Sequence, residues 1–302
     1  MQPSPTLHCA SADLAAPANR FKTRRADVDA VLRTRVITAF FIAVAAFTLL
    51  FLAPPWIFRV ALAVLLMAGS WEFARLAALG RIGKWVLILL QAFLLGMMLR
   101  FWNGIEGHAL SFLVAATLSW CVMFLRLLTF RPGLAPGLSY RLVSFFCALA
   151  SITFAWYSLC WLRDQPAGEY LVLLLLVIIW SADIGAYFSG RRWGRHKLAP
   201  TISPGKTREG LLGGALLAAL CTVLVAGWTI APQPAPAILI VLAMLTTLFS
   251  AAGDLFISLH KRTVGLKDSG KLFPGHGGVL DRFDSLLAGA PFFALGAWLL
   301  QW

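Results

Sequence analysis

Asp254, Ser258 and Lys261 are spaced so that a helix would carry a carboxylate, a hydroxyl and an ammonium along one face. Asp281 and Asp284, three residues apart, would likewise share a face. Both sets border long apolar runs, and Asp183 lies inside another, Val177–Tyr187. An aspartate at the centre of a membrane helix costs about 2.5–3.5 kcal/mol on insertion scales, and less near an end. Such residues turn inward and take a compensating cation. Two readings fit the pattern. In one, the aspartates pair with Lys261, Arg262 or Arg282. In the other they enter one cavity at headgroup level and hold a divalent metal, for which oxygen-only donors favour Mg2+ or Mn2+ over zinc. Asp254, Asp268, Asp281 and Asp284 crowd into 31 residues, more than solvation of a surface needs, and this favours the metal reading with Asp183 close by.

The glycines and cations nearby suit phosphates. Pro274-Gly275-His276-Gly277-Gly278 leads directly into Asp281-Arg282, and Ser203-Pro204-Gly205-Lys206-Thr207 precedes another apolar run. Glycine lets backbone N–H groups approach a phosphate, and a helix start favours an anion. Lys206 offers a point charge, with Arg208 near it. The G-x-x-x-x-G-K-[ST] spacing of a P-loop is absent, as are H-E-x-x-H and C-x-x-C. His276 reads as a hydrogen-bond donor to phosphate rather than a strong base, because a phosphomonoester is already mostly a dianion at neutral pH. His260 and His196 read as solvated or interfacial.

The elements that must position these groups are membrane helices. The chain of 302 residues is 60% apolar and 13% charged, with a mean hydropathy of +0.80. That composition excludes an ordinary soluble enzyme or DNA-binding domain. The net charge of +13 then points to basic cytoplasmic loops and an anionic lipid or nucleotide, not to nucleic acid. Nine runs are long enough to span: Val36–Leu52, Trp56–Phe73, Trp85–Leu99, Ala109–Leu128, Leu142–Leu162, Tyr170–Tyr187, Leu211–Ile230, Ala237–Leu259 and Phe283–Gln301. No alternation typical of a barrel recurs. The expected fold is an all-α polytopic integral membrane protein of about nine transmembrane helices. Three parts follow: a polar tail over 1–34, expected to be disordered and cytoplasmic, N-terminal spans over 35–169, and a catalytic region with two long cytoplasmic loops over 170–302. The tail precedes the first apolar run and lacks the plan of a cleaved signal peptide. With the N-terminus in the cytoplasm, only Arg59, Arg100 and Arg163 of the 26 Lys and Arg fall outside, as the positive-inside rule demands. The C-terminus then faces away from the cytoplasm.

The stretch Ser258-Leu-His-Lys261-Arg262, Lys267-Asp268 and Pro274-Gly-His276-Gly277-Gly278-Val-Leu-Asp281-Arg282-Phe-Asp284 resembles the C-terminal motif of the phosphatidate cytidylyltransferases, or CDP-diacylglycerol synthases. Ala182–Gly190 and Leu198–Gly210 are similar to other cytoplasmic elements of that family. The resemblance covers about Ser181–Ser285. Two positions depart from it: His260 stands where the family usually has an apolar residue, and Ile184 where a small polar one is common. The resemblance implies CTP and phosphatidate as substrates, CDP-diacylglycerol and pyrophosphate as products, and Mg2+, with room for a second cation. It implies metal carboxylates at Asp254, Asp281 and Asp284, with Asp183 beside them. Catalytic roles then fall to Asp281, Asp254, Lys261, Arg282 and His276, and substrate contacts to Ser203, Lys206, Ser258, Arg262, Lys267, Gly277 and Gly278. It further implies a homodimer, while the two long inside loops point to a cytoplasmic active face and the lack of an organelle address to the cytoplasmic (inner) membrane. A CTP-dependent lipid-alcohol kinase and an ion-coupled transporter are the competing classes. The D-G-x-x-A-R motif of CDP-alcohol phosphatidyltransferases is absent.

Overall fold

A computed structural model describes residues 36–129, 135–229 and 234–302. The expected tail lies outside the described residues. Each of the nine apolar runs becomes a helix. These are α1 (Val36–Leu52), α2 (Pro55–Leu76), α3 (Arg81–Arg100), α5 (Ala109–Thr129), α6 (Leu138–Asp164), α7 (Gly168–Trp193), α8 (Arg208–Thr229), α9 (Pro236–Thr263) and α10 (Leu280–Leu299), with a single turn of helix, α4 (Trp102–Glu106), after α3. Seven of the described helices, α2, α3 and α5 to α9, are long and apolar enough to cross a membrane. α10 has Asp281, Arg282 and Asp284 in its first turns, which lowers its hydropathy, and α1 is described only from Val36.

The helices are apolar on every side, the pattern of spans surrounded by hydrocarbon. Trp120, Trp156, Tyr157, Phe73, Phe256 and Phe293 fill the interior, whereas Phe40, Val64, Leu89, Val122 and Leu216 stand exposed on the outer faces. Prolines set one boundary. Pro54 in extended backbone ends the first span, and Pro55 opens α2 at a position where its missing N–H has no partner to lose.

Two close crossings position the functional end. α7 meets α8 through small residues: a Cβ on Gly214 would stand 2.5 Å from the Ala182 carbonyl oxygen, and one on Gly185 would stand 2.8 Å from that of Gly213. Backbones packed this closely are the membrane solution to helix association. α9 meets α10 at Gly253, whose added Cβ would lie 2.7 Å from the Asp284 carbonyl oxygen, so Asp254 is carried alongside Asp284. A two-stranded antiparallel ribbon, β1 (Lys197–Ala199) and β2 (Ser203–Thr207), pairs Lys197 with Thr207 and Ala199 with Ser203. The all-α expectation did not include this ribbon. Short β pairing escapes a hydropathy reading because its pattern spans only a few positions.

Candidate active site at one end of the bundle

The ribbon delivers Lys206. Thr207 Oγ1 accepts a hydrogen bond from Gly210 N at 3.0 Å and so caps α8. Glu209 accepts bonds from His196, backbone N at 3.2 Å and Nδ1 at 2.6 Å. From the far side, Arg262 of α9 donates Nε to the Ile202 carbonyl at 3.3 Å. The hairpin is therefore tied to α8 and α9 at once. Its lysine reaches across, with Nζ 2.5 Å from Asp254 Oδ2. Asp254 Oδ1 accepts from Ser258 Oγ at 3.2 Å, the i, i+4 contact expected from the spacing.

About two turns along α9 from Asp254, Lys261 Nζ donates to Asp281 Oδ1 at 2.9 Å. Asp281 Oδ2 accepts from Ser269 N at 2.8 Å and Gly278 N at 2.9 Å. Asp183 and Asp284 complete the group, each within electrostatic reach of Asp254 and Lys206. Lys261 acts on Asp254, Asp281 and Asp284 together, and Arg282 acts on Asp183. Asp183, Asp254, Asp281 and Asp284 thus share one charged cluster, interleaved with lysines, whereas Asp268 stands exposed. Beside it opens a cleft of about 210 Å³ lined by Asp183, Tyr187, Lys206, Thr247 and Ser250 among the small residues of the α7–α8 crossing.

The geometry shows the pairing reading of the aspartates directly. Asp254 and Asp281 are each paired with a lysine, and among the described residues no three His, Cys, Asp or Glu side chains stand as a ready metal cage. The donor set nonetheless suits Mg2+, which is commonly bound by one or two carboxylates together with substrate phosphates. Asp254 and Asp281 each offer oxygen lone pairs beyond those their partners take.

Other expected contacts are distributed less directly. Arg262 holds the ribbon turn and, through Nη1, the Leu266 carbonyl at 3.5 Å. The Gly278 N–H, expected to face a phosphate, is donated to Asp281. Gly277 adopts a φ of +84° that glycine accommodates without strain, and its carbonyl accepts from Phe273 N at 2.9 Å. His276 donates its backbone N to the Phe273 carbonyl and keeps Nδ1 buried without a hydrogen-bond partner. Lys267 and Arg282 are exposed, and Ser203 is half-buried at the start of β2.

His260 is corrected. It is fully buried, not interfacial. Its Nδ1 lies 2.9 Å from the Phe256 carbonyl and Nε2 lies 3.2 Å from Ser144 Oγ. The rings of Phe73, Tyr140 and Phe256 surround it. A polar residue next to Lys261 reads as solvated in sequence, but the next position around a helix faces about 100° away and here meets α2 and α6. His196 is exposed, as expected, and bound to Glu209.

Sequence reasoning also passed over Glu72. It lies buried near the end of α2 and accepts bonds from Ser269 Oγ at 2.7 Å, Val279 N at 3.0 Å and Leu280 N at 3.0 Å. A carboxylate within the apolar run Trp56–Phe73 is the same signal that picked out Asp183.

A bundle of apolar helices gathering phosphate-compatible cations and inward aspartates at one end is the build of a polytopic membrane protein that handles anionic ligands at the interface. The model of the cytidylyltransferase family matches residues 33–300. The chain is 33% identical over 288 residues to the phosphatidate cytidylyltransferase of Haemophilus influenzae, covering 87% of this chain and 98% of that one. It is 35% identical over 275 residues to that of Pseudomonas aeruginosa, covering 90% and 99%. A 145-residue stretch is 48% identical to the phosphatidate cytidylyltransferase of Brucella suis, covering 47% and 52%. The chain belongs to the cytidylyltransferase family.

Proposed function

We propose that this protein is a phosphatidate cytidylyltransferase, converting CTP and phosphatidate to CDP-diacylglycerol and pyrophosphate. The observation that carries the reading is the alternation of Asp183, Lys206, Asp254, Lys261 and Asp281 at one end of an apolar bundle, in a chain related along nearly its whole length to enzymes of that name. A lipid phosphate and a nucleotide triphosphate meet only at such an interface.

A phosphatidate oxygen attacks the α-phosphorus of CTP. The new P–O bond forms as the bond to the β-phosphate bridging oxygen breaks, and pyrophosphate departs with that electron pair. The attacking phosphate is already an anion, so no strong general base is needed. Lys206 and Lys261 swing from their aspartates toward phosphate oxygens, and Arg282, exposed at the mouth, screens the triphosphate. Ser203 and Ser258 supply neutral hydrogen bonds. Asp254 and Asp281, with Asp284 and Asp183 behind them, are the groups that would hold Mg2+, with room for a second cation. When bound, the ion neutralises the triphosphate and polarises the α-phosphorus. His276, whose Nδ1 has no hydrogen-bond partner within the protein, is proposed as a hydrogen-bond donor to phosphate.

The same reading puts nine spans in the cytoplasmic (inner) membrane, the N-terminus and active face in the cytoplasm, the acyl chains of phosphatidate in surrounding lipid, and a homodimer as the assembly. Purified protein given α-labelled CTP, Mg2+ and phosphatidate should form labelled lipid with stoichiometric pyrophosphate, and EDTA should stop it. CDP released in the presence of a lipid alcohol, with no labelled lipid from phosphatidate, would transfer the assignment to a kinase.

A further inference from the structure

Glu72 belongs to the N-terminal half of the chain, yet every hydrogen bond it accepts comes from the loop and helix start that carry Asp281. Among the described residues it forms no ion pair. What stabilises a buried carboxylate here is a set of three donors at the positive end of α10. Two oxygens are needed to meet them: Oε1 takes Val279 N, while Oε2 takes Leu280 N and Ser269 Oγ.

Asp281 grips the same segment from the other side. Ser269 is held twice, its hydroxyl by Glu72 and its N–H by Asp281, and Gly278 N is held by Asp281 next to the two amides held by Glu72. Space is as tight as the hydrogen bonding. A Cβ on Gly270 or Gly278 would run into the Glu72 carboxylate. The Gly278 of the glycine-rich motif therefore serves the approach of a carboxylate from α2, and its N–H is already committed.

We propose that Glu72 is a positioning residue for Asp281: by clamping the 269–280 loop it fixes the Asp281 carboxylate, and Lys261 on it, in the orientation that receives the nucleotide and its cation. This rests on the cytidylyltransferase reading for its kinetic consequence but not for its structural one. Glu72→Gln keeps the size and turns one acceptor into a donor facing N–H groups.

The test compares the full-length wild type and Glu72→Gln in detergent, by hydrogen exchange and by kinetics. Exchange across 269–282 should accelerate in Glu72→Gln while peptides from α5 and α8 keep wild-type rates. kcat should fall about 10–100-fold, and the Mg2+ concentration for half-maximal rate should rise about tenfold, the scale seen when outer-shell partners of metal ligands are removed. The KM for phosphatidate should stay within about twofold, because the clamp does not touch the lipid. Glu72→Asp, which restores both oxygens one methylene short, should recover part of the Mg2+ midpoint. Wild-type exchange over 269–282 overturns the proposal. So does a rate loss that merely tracks the folded fraction, with exchange raised in every helix and an unchanged Mg2+ midpoint. If the wild type makes no CDP-diacylglycerol, the functional assignment fails, and the exchange data still decide whether Glu72 holds the loop.

Discussion

Lys261 stands among three aspartates and touches one of them, Asp281 at 2.9 Å. Removing either partner of a buried ion pair leaves the other charge stranded, which is worse than never having had the pair. Asp281 has further duties: its second oxygen gathers Ser269 N and Gly278 N. Asp281→Asn keeps the shape, but its amide end puts N–H donors against either Lys261 or the loop. Turnover should drop at least about a hundredfold, while the protein still inserts and is extracted in wild-type yield. An active Asp281→Asn enzyme would remove this residue from the chemistry. Lys206 is the other lysine expected to exchange an aspartate for a phosphate. Lys206→Ala should raise the KM for the phosphorylated substrates about tenfold, roughly one charge-assisted hydrogen bond. Lys206→Arg should restore it poorly, because the broad planar guanidinium cannot replace a compact ammonium in a narrow cleft. Steady-state kinetics on the two variants separate these outcomes.

The cleft exists because α7 and α8 touch backbone to backbone at Gly185, Gly213 and Gly214. A side chain there must push the helices apart, and the floor under Asp183 and Lys206 moves with them. Gly214→Val should therefore lower kcat/KM by about tenfold or more, as a displacement of about 1 Å can cost a hundredfold in rate, and should lower the melting temperature in detergent. Unchanged kinetics would show that the crossing does not shape the site. At the other end of the bundle, Arg59 and Asp164 form an ion pair that Trp102 Nε1 joins at 2.7 Å. Arg59→Ala should destabilise the protein by about 3 kcal/mol, the low end for breaking a buried pair, and leave the KM for CTP unchanged, because Arg59 lies about 20 Å along α2 from Glu72. These elements differ in how well they could be read from sequence. The nine helices were legible because hydrocarbon demands continuous apolar runs, and the aspartates because charge at membrane depth is rare. The hairpin that carries Lys206 was not, since strands of three and five residues leave no periodic trace. Nor was the burial of His260, which depends on which neighbours α9 meets. Glu72 was legible in kind but not in role: its partners lie some 200 positions away, and only the fold brings them together.

Among the described residues the cations are arranged by end. Arg191, Arg192, Lys197, Lys267 and Lys271 stand exposed around the site. At the opposite end Arg59 is neutralised by Asp164, and Arg163 is held by Glu169 at 3.4 Å and by the Leu50 and Ala53 carbonyls at 3.0 and 3.3 Å. Positive charge is thus free at one end and mostly bound at the other, which supports placing the site end in the cytoplasm. An anionic nucleotide approaching that end is drawn by the field of the exposed cations. The KM for CTP should rise with ionic strength as the Debye length shrinks from about 10 Å at 0.1 M to about 3 Å at 1 M, and a flat salt profile would dismiss steering. The same polarity bears on the termini. α1 runs toward the Arg163 end, where Leu50 meets that side chain, and α10 starts from the site at Asp281 and runs away from it. If α10 crosses, as the proposed nine spans require, a reporter fused after Trp302 should lie across the membrane from the site. Alkaline phosphatase joined there should be active and green fluorescent protein dark in bacterial cells. The reverse pattern would mean either that α10 does not cross, leaving eight spans, or that the site end faces away from the cytoplasm.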